Sequence, residues 1–443
     1  MTHLRSGLTA LALIALVQSG VGSARANAST VSHSSGEVSY VMKRGDTLFV
    51  LWRQFFAGPK ALNRVRSMNR ITNVRRIPTG KVLHIPRTLL RDQKSLARLE
   101  SLRGQVTISV NGATRPAREG ETLGEGAEVE TGRNAFVTLR LADGSALAVP
   151  SLSVLGLTWL REVNLTGALE REVNVRAGRM RARVTPMTNP DSSFRVVTPV
   201  AVSAVRGTEF RVAYRADRGF SAVEVDNGKV EFIGADTRVL IPAGFGAVNL
   251  NGQQSGALGL LAPPKLGEPD KVQSEEQLHF SLIPLAGAES YHVQIARDAG
   301  FIENIAEETS QGTEFTMQSL PADSYFVKVS AYDEQGLEGM ADTYTFERRR
   351  NIISGKLEAG SDKRQLRFRW DNTSDGQASY RFQLVRKSEP SLTVVDETGL
   401  TEKFLSVSNV PPGDYVWRVG SQLIANGKVI MTWTEPQTFH VTK

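Results

Sequence analysis

The 443-residue sequence contains no cysteine, which removes disulfides, thiolate metal sites and cysteine nucleophiles together. A chain without thiols also suits an oxidising compartment, where it has nothing to mispair. Histidine is scarce. His3, His33, His84, His279, His292 and His440 are scattered, and none falls in an H-x-H or H-E-x-x-H spacing that would assemble metal ligands. No G-x-S-x-G elbow occurs. After residue 17 no apolar run approaches the ~20 residues that a membrane-spanning helix needs. No metal site, cofactor site or nucleophile is legible, so the chain is expected to be no enzyme. Paired carboxylates of the glycosidase kind are the one catalytic arrangement that composition leaves open.

What is present is charge, unevenly spread. The formal net charge is +7, yet Tyr40 to Arg103 alone holds 15 Lys and Arg against Asp46, Asp92 and Glu100, a local net of +12. The rest of the chain is therefore slightly acidic. Such a basic lobe suits an anionic surface or polymer. Residues 1–28 read as a secretory signal peptide. His3 and Arg5 make the basic start, Leu8 to Val17 the apolar run, and Ala24-Arg25-Ala26 the cleavage pattern, with cleavage after Ala26 or Ala28. An exported product is expected, with no transmembrane segment after cleavage and no nucleic acid as partner.

Residues 40–87 read as a compact unit. Tyr40-Val41-Met42 is a short strand, and Asp46 or Thr47 caps a helix carrying Leu48, Leu51, Trp52 and Phe55 at helical spacing. Gly58-Pro59 starts a second helix with Ala61, Val65 and Met68, ending near Asn69. Ile77-Pro78-Thr79-Gly80 turns into a closing strand, Val82 to Pro86. This β-α-α-β order resembles a LysM domain, a module that binds N-acetylglucosamine-containing glycans such as peptidoglycan. The resemblance rests on Tyr40-Val41-x-Lys43-x-Gly45-Asp46-Thr47-Leu48, Asn69 and Ile77-x-x-Gly80-x-Val82-Leu83-x-Ile85-Pro86. It implies a glycan groove formed by Gly45, Asp46, Thr47, Leu48, Arg76, Ile77 and Pro78, with Arg75-Arg76 favouring a negatively charged region of polymer. A purely capping role for Asp46 and Thr47 is the competing reading. Residues 88–103 read as a linker helix.

From Gly104 the pattern alternates as in short strands, for example Ala135 to Leu141, with turns at Asp143-Gly144 and Asn227-Gly228. Thr198-Pro199 leads into Val200 to Val205, a strand uncharged on both faces and therefore expected to be buried on both. It ends in Arg206-Gly207-Thr208-Glu209-Phe210. Together with Asp143-Gly144-Ser145, Arg176 to Met180 and Val225 to Val230, this stretch resembles the FecR domain over residues 104–255. That resemblance implies a periplasmic, β-rich module, here a sandwich, roll or solenoid. Arg206 and Glu209 are expected to pair at the strand's end, either as a structural ion pair or as a ligand site.

Beyond Pro263-Pro264 the sequence repeats at an offset of about 90 residues. Phe280 matches Trp370, Tyr291 matches Tyr380, Pro321 to Tyr325 matches Pro411 to Tyr415, and Phe346 matches Phe439. Residues 265–350 and 351–443 resemble tandem fibronectin type III sandwiches, each with a Tyr placed for a tyrosine corner. Arg348-Arg349-Arg350 reads as a solvated linker between them. The whole is expected to be mainly β and multidomain. Its expected function is that of a non-enzymatic envelope protein, periplasmic or secreted and wall-associated, that holds peptidoglycan and presents its β domains to an envelope protein partner. A FecR-type signalling component and a cryptic wall hydrolase are the alternatives. Signalling of the FecR kind works through a membrane span and a cytoplasmic segment, and neither is legible after residue 28.

Overall fold

The computed structural model describes residues 36–359, 365–425 and 427–442; the expected signal peptide lies outside them. The protein is mainly β, with 58% strand and 6% helix, as the alternating patterns predict.

The N-terminal unit has the β-α-α-β order. Glu37–Val41 pairs antiparallel with Val82–Pro86, setting Tyr40 opposite Leu83. Helices Leu48–Phe55 and Ala61–Met68 turn Leu48, Leu51, Ala61 and Val65 onto the buried Leu83 and Ile85. Thr47 is the N-cap, its hydroxyl accepting from the Val50 amide at 3.2 Å, which satisfies one of the helix's free donors. Asn69 ends the second helix and ties it to the closing strand. Its amide donates to the His84 carbonyl at 2.7 Å, and its oxygen accepts from the His84 amide at 2.7 Å.

The expected linker helix at 88–103 is not formed. A short 3-10 turn, Arg87–Leu89, leads into strands Asp92–Lys94 and Ala97–Arg103. Ala97 and Leu99 are buried while Arg98 between them is exposed, a period of two rather than 3.6. The strand pairs with Phe136–Leu141, setting Leu99 opposite Leu139, and this non-local ladder outweighs the local helical preference.

From Asp92 to Gly259 the strands form one closed β body. Its pairings fall into two sheets that share the long strand Ala168–Arg183. The first part of that strand pairs with Val154–Val163 and runs parallel to Ser193–Val197. From Gly178 onward it pairs with Glu209–Arg215. One apolar core fills the body, including Leu139, Val173, Phe194, Phe210, Val225 and Phe232. The uncharged stretch lies largely inside it: Val202, Ser203 and Val205 of the strand Val202–Val205 are buried, and Ala204 partly so.

Two sandwiches follow. The first sets Lys265–Leu266, Leu278–Ile283 and Glu314–Met317 against a four-stranded sheet of Asn304–Ser310, Ser290–Ala296, Asp323–Tyr332 and Asp342–Arg348. The second repeats the plan with Asn351–Ala359, Gln365–Ser374 and Phe404–Ser408 against a five-stranded sheet. The repeated landmarks are core residues in both, Phe280 and Phe346 in one, Trp370 and Tyr415 in the other. Each sandwich has its tyrosine corner: Tyr325 Oη donates to the Pro321 carbonyl at 3.1 Å and Tyr415 Oη to the Pro411 carbonyl at 2.7 Å.

The triple arginine is no solvated linker. Arg348 is fully buried and donates to the carbonyls of Gln273 (2.8 Å), Glu276 (3.0 Å) and Leu320 (3.3 Å) and to Ser319 Oγ (2.7 Å). Arg350 is paired with Asp375 at 2.9 Å. The next strand starts at Asn351, itself buried, so the two sandwiches join with almost no free chain between them.

Candidate glycan loops and the buried charge seam

The strand pairing of the N-terminal unit brings its two loops side by side. The Met42 amide donates to the Lys81 carbonyl and the Gly80 amide to the Met42 carbonyl, both at 2.9 Å. Gly45, Arg76 and Pro78 are exposed, Asp46, Thr47 and Ile77 are half-buried, and Leu48 is fully buried. Leu48 therefore belongs to the unit's apolar core and has no surface to offer a ligand. Asp46 does not cap the helix. Its carboxylate accepts from Tyr40 Oη and from the Lys43 amide, both at 2.8 Å, and so holds the turn closed. Burial, reinforced by that bond and the Asp46 charge, pushes the Tyr40 phenol up to about 12. Phe49, on the helix just after the loop, stays half exposed and lies against Trp52 with ring centroids 5.6 Å apart. Sequence reading passed over Phe49, although an aromatic one residue beyond the buried Leu48 must face outward on a short helix. An exposed ring beside half-buried polar groups is a surface on which a sugar face can stack.

The unit is bolted to the β body. Arg87, nine-tenths buried, donates to both Glu170 oxygens (2.6 and 2.7 Å) and to Asp92 (2.8 Å), while Val163 and Ala168 of the body join the unit's core.

Arg206 and Glu209 do not pair. Arg206 turns outward and donates to the carbonyls of Asn189 (3.0 Å) and Pro190 (2.5 Å), fixing the loop before Ser193. Glu209 accepts instead from Arg181 at 2.8 Å and Arg183 at 3.1 Å. The cause is the turn at Gly207, whose φ of 112° is closed to most side chains and which brings the backbone onto Pro186. Reversing the chain there sends the two side chains apart.

Glu209 instead belongs to a seam of charge on the body's second sheet. Arg179, Arg181 and Arg183 alternate along one strand and so share a face. Opposite them, Arg211 faces Glu224 across the neighbouring strands and pairs with Asp226 at 3.0 Å. The first sandwich covers this face with the loop 333–338. Glu338, buried, accepts from Arg179 at 2.9 Å and from Ser330 Oγ at 2.6 Å, and its amide donates to Glu224 at 3.1 Å. Tyr332 bonds Arg179 as well, and Arg211 donates to the Glu338 and Gly339 carbonyls at 2.8 and 3.0 Å. His292 lies between Glu338 (2.9 Å) and Glu307 (3.3 Å). Burial opposes its charge, yet the two carboxylates outweigh it and raise the imidazole to about 9. Burial raises the Glu338 carboxyl, but Arg179, His292 and Arg211 overcome this and hold it well below the usual range, whereas burial dominates at Glu224 and raises it. Leu337 fills an apolar patch of Ala213, Phe220 and Ala222 beside the seam. The sequence signal for the seam was its period-two charges at Arg179, Arg181 and Arg183; Glu209 lies 28 residues from Arg181, and Glu338 lies 159 from Arg179.

The fold thus defines a multidomain, mainly β protein with a two-sheet body and paired sandwiches. Residues 127–231, within that body, match the family model described as FecR protein, which covers less than half of the chain. No curated protein matches the sequence. Among solved structures the chain is similar to a putative anti-sigma factor from Parabacteroides distasonis ATCC 8503. That likeness is 22% identical, covers 30% of this chain and 59% of that one, and has a TM-score of 0.25. It is also similar to a two-domain fibronectin type III segment of chicken tenascin, at 14% identity, covering 42% of this chain and 99% of that one, with a TM-score of 0.21.

Proposed function

We propose that the protein is a non-enzymatic component of the cell envelope, periplasmic or secreted, that holds peptidoglycan through the loops at residues 43–48 and 76–80 and presents its β domains to an envelope protein. The observation that carries this reading is the pairing of those two loops around Met42, with Gly45, Arg76 and Pro78 open to solvent and Phe49 exposed beside them. Loop amides and hydroxyls meet N-acetyl and hydroxyl groups, and the ring meets a sugar face. The exposed Lys43, Arg44, Arg75 and Arg76 add attraction to anionic polymer that salt screens beyond ~8 Å at physiological ionic strength.

Sedimentation with purified sacculi tests the reading. The full chain is expected to co-sediment, less so as salt rises. The double variant Arg76→Ala/Ile77→Asp, which leaves the core residues Leu48, Leu83 and Ile85 untouched, is expected to remain in the supernatant. Undiminished sedimentation of that variant removes the tether. A second reading, a component of a FecR-type sensing system, draws on the family match at residues 127–231. It is favoured if a sacculus-blind variant still captures an envelope partner.

A further inference from the structure

Beside the charge seam, between the β body and the first sandwich, lies a cleft of about 900 Å³. Met180 and Leu152 of the body and Phe301 and Ile305 of the sandwich supply apolar wall. Lys328 lines it from the strand Asp323–Tyr332 with 9% of its surface exposed. Its ammonium sits 4.0 Å from the Phe301 ring centroid and has no carboxylate or other hydrogen-bond acceptor among the described residues. Burial and the neighbouring Arg181 and Arg211 hold its pKa well below the usual lysine range, which Glu338 only partly offsets.

The other buried cations of the cleft are already matched: Arg179 by Glu338, Arg181 by Glu209, Arg211 by Asp226, and His292 by Glu338 and Glu307. At the mouth, Arg103 and Arg133 are exposed and have no partner among the described residues, against a single carboxylate of the lining likewise without one, Glu308. A buried, unpartnered lysine gives up its proton unless something supplies the missing negative charge, so an anion that enters the cleft is bound together with a proton. Two unmatched arginines, and an amine that takes up a proton when an anion arrives, against one carboxylate define what that is.

We propose that this cleft binds a small organic anion, carboxylate- or phosphate-bearing, with the anionic group on Lys328, the carbon skeleton against Met180, Phe301 and Ile305, and the outer end under Arg103 and Arg133. Such a ligand touches both domains. Its binding tightens a contact that, besides the charge seam, includes the Ile302 carbonyl accepting from Ser101 (2.8 Å) and Thr138 (3.0 Å), and Glu307 accepting from the Ser151 amide (3.0 Å). The site is separate from the glycan loops, and its test involves no sacculi.

Calorimetric titration of the full chain with inorganic phosphate and with succinate, at ionic strength held constant with chloride, tests the proposal and separates the two anion chemistries. One probe is expected to bind at a single site. Lys328→Met, close in volume and uncharged, is expected to weaken that binding by at least about tenfold while melting no lower than wild type in chloride. Arg103→Ala/Arg133→Ala, at exposed positions, is expected to weaken it by a smaller factor. No binding of either probe at about 10 mM overturns the proposal, as does unchanged affinity in Lys328→Met. If that variant fails to fold, acylation of wild-type Lys328 decides: protection by the bound probe supports the site and equal labelling overturns it.

Discussion

Glu209 carries the charge at one end of the seam, and its partners decide what its removal does. Its Oε1 accepts from Arg181 and Arg183, two residues apart on one strand and therefore on one face. Burial alone would raise its carboxyl, but the two guanidiniums outweigh burial and hold it below the ordinary range. With a depressed folded pKa, its contribution to stability is present above the unfolded value of about 4.3 and is lost as pH falls through the folded one. Glu209→Ala takes their shared acceptor from the partly buried Arg181, which keeps Asp226 at 3.5 Å, and from the exposed Arg183, and is expected to cost about 1–3 kcal/mol. Arg206→Ala gives up bonds to two exposed carbonyls and is expected to cost at most about 1 kcal/mol. In thermal denaturation the Arg206→Ala/Glu209→Ala pair is expected to add within about 0.5 kcal/mol, while Arg181→Ala/Glu209→Ala falls short of additivity. Coupling in the first pair and none in the second would refute this assignment.

At the scale of the element, the strand Ala168–Arg183 makes the body possible by serving two sheets, and Gly178 is where it changes from one to the other. There φ is 73°, and an added Cβ would lie 2.3 Å from Ser153 Oγ and 2.5 Å from the Leu152 carbonyl oxygen. The hydroxyl can rotate away, but the carbonyl belongs to the chain. Gly178→Ala therefore combines an unfavourable backbone conformation with a backbone clash, and a loss of about 3 kcal/mol or more is expected in the denaturant midpoint. The tyrosine corners are a milder device. Tyr415→Phe keeps the ring packed on Phe439 and loses the bond to the Pro411 carbonyl together with a longer one accepted from Arg386 at 3.3 Å, an expected cost of about 1 kcal/mol.

At the scale of the molecule, the domains are joined by buried polar contacts rather than by free chain. Arg348 binds four acceptors, so trypsin is expected to leave native protein uncut at Arg348, Arg349 and Arg350. Arg348→Ala should open the junction to cleavage at Arg349 or Arg350. Rapid cutting of the wild type would restore the solvated linker expected from sequence. The seam between body and first sandwich depends on pH through His292. Its folded pKa of about 9 lies above the unfolded value of about 6.5, so its contribution is whole below about pH 6.5 and fades as pH rises through about 9. The contribution is on the order of 3 kcal/mol, and His292→Gln should flatten the decline in melting temperature across that window.

The sequence by itself determined what is periodic and local. Alternating residues specified strands, helical spacing at Leu48 and Leu51 specified the first helix, and the shared Pro-to-Tyr interval specified both tyrosine corners. Each of these depends on neighbours a few residues away. The tertiary structure decided everything that depends on a distant partner. Ala97–Arg103 reads as helix in isolation and is a strand because Phe136–Leu141 is there to pair with it. Arg206 and Glu209 lie three residues apart, yet one turns to Asn189 and the other to Arg181, because the left-handed turn at Gly207 reverses the chain between them. Arg348 looks solvated until Gln273, Glu276 and Leu320 are folded around it. Lys328 becomes a site only when Phe301 and the arginines of another domain surround it. Charge is legible in sequence, but burial is a sum over non-local neighbours, and burial is what turns a charge into an anchor or a binding site.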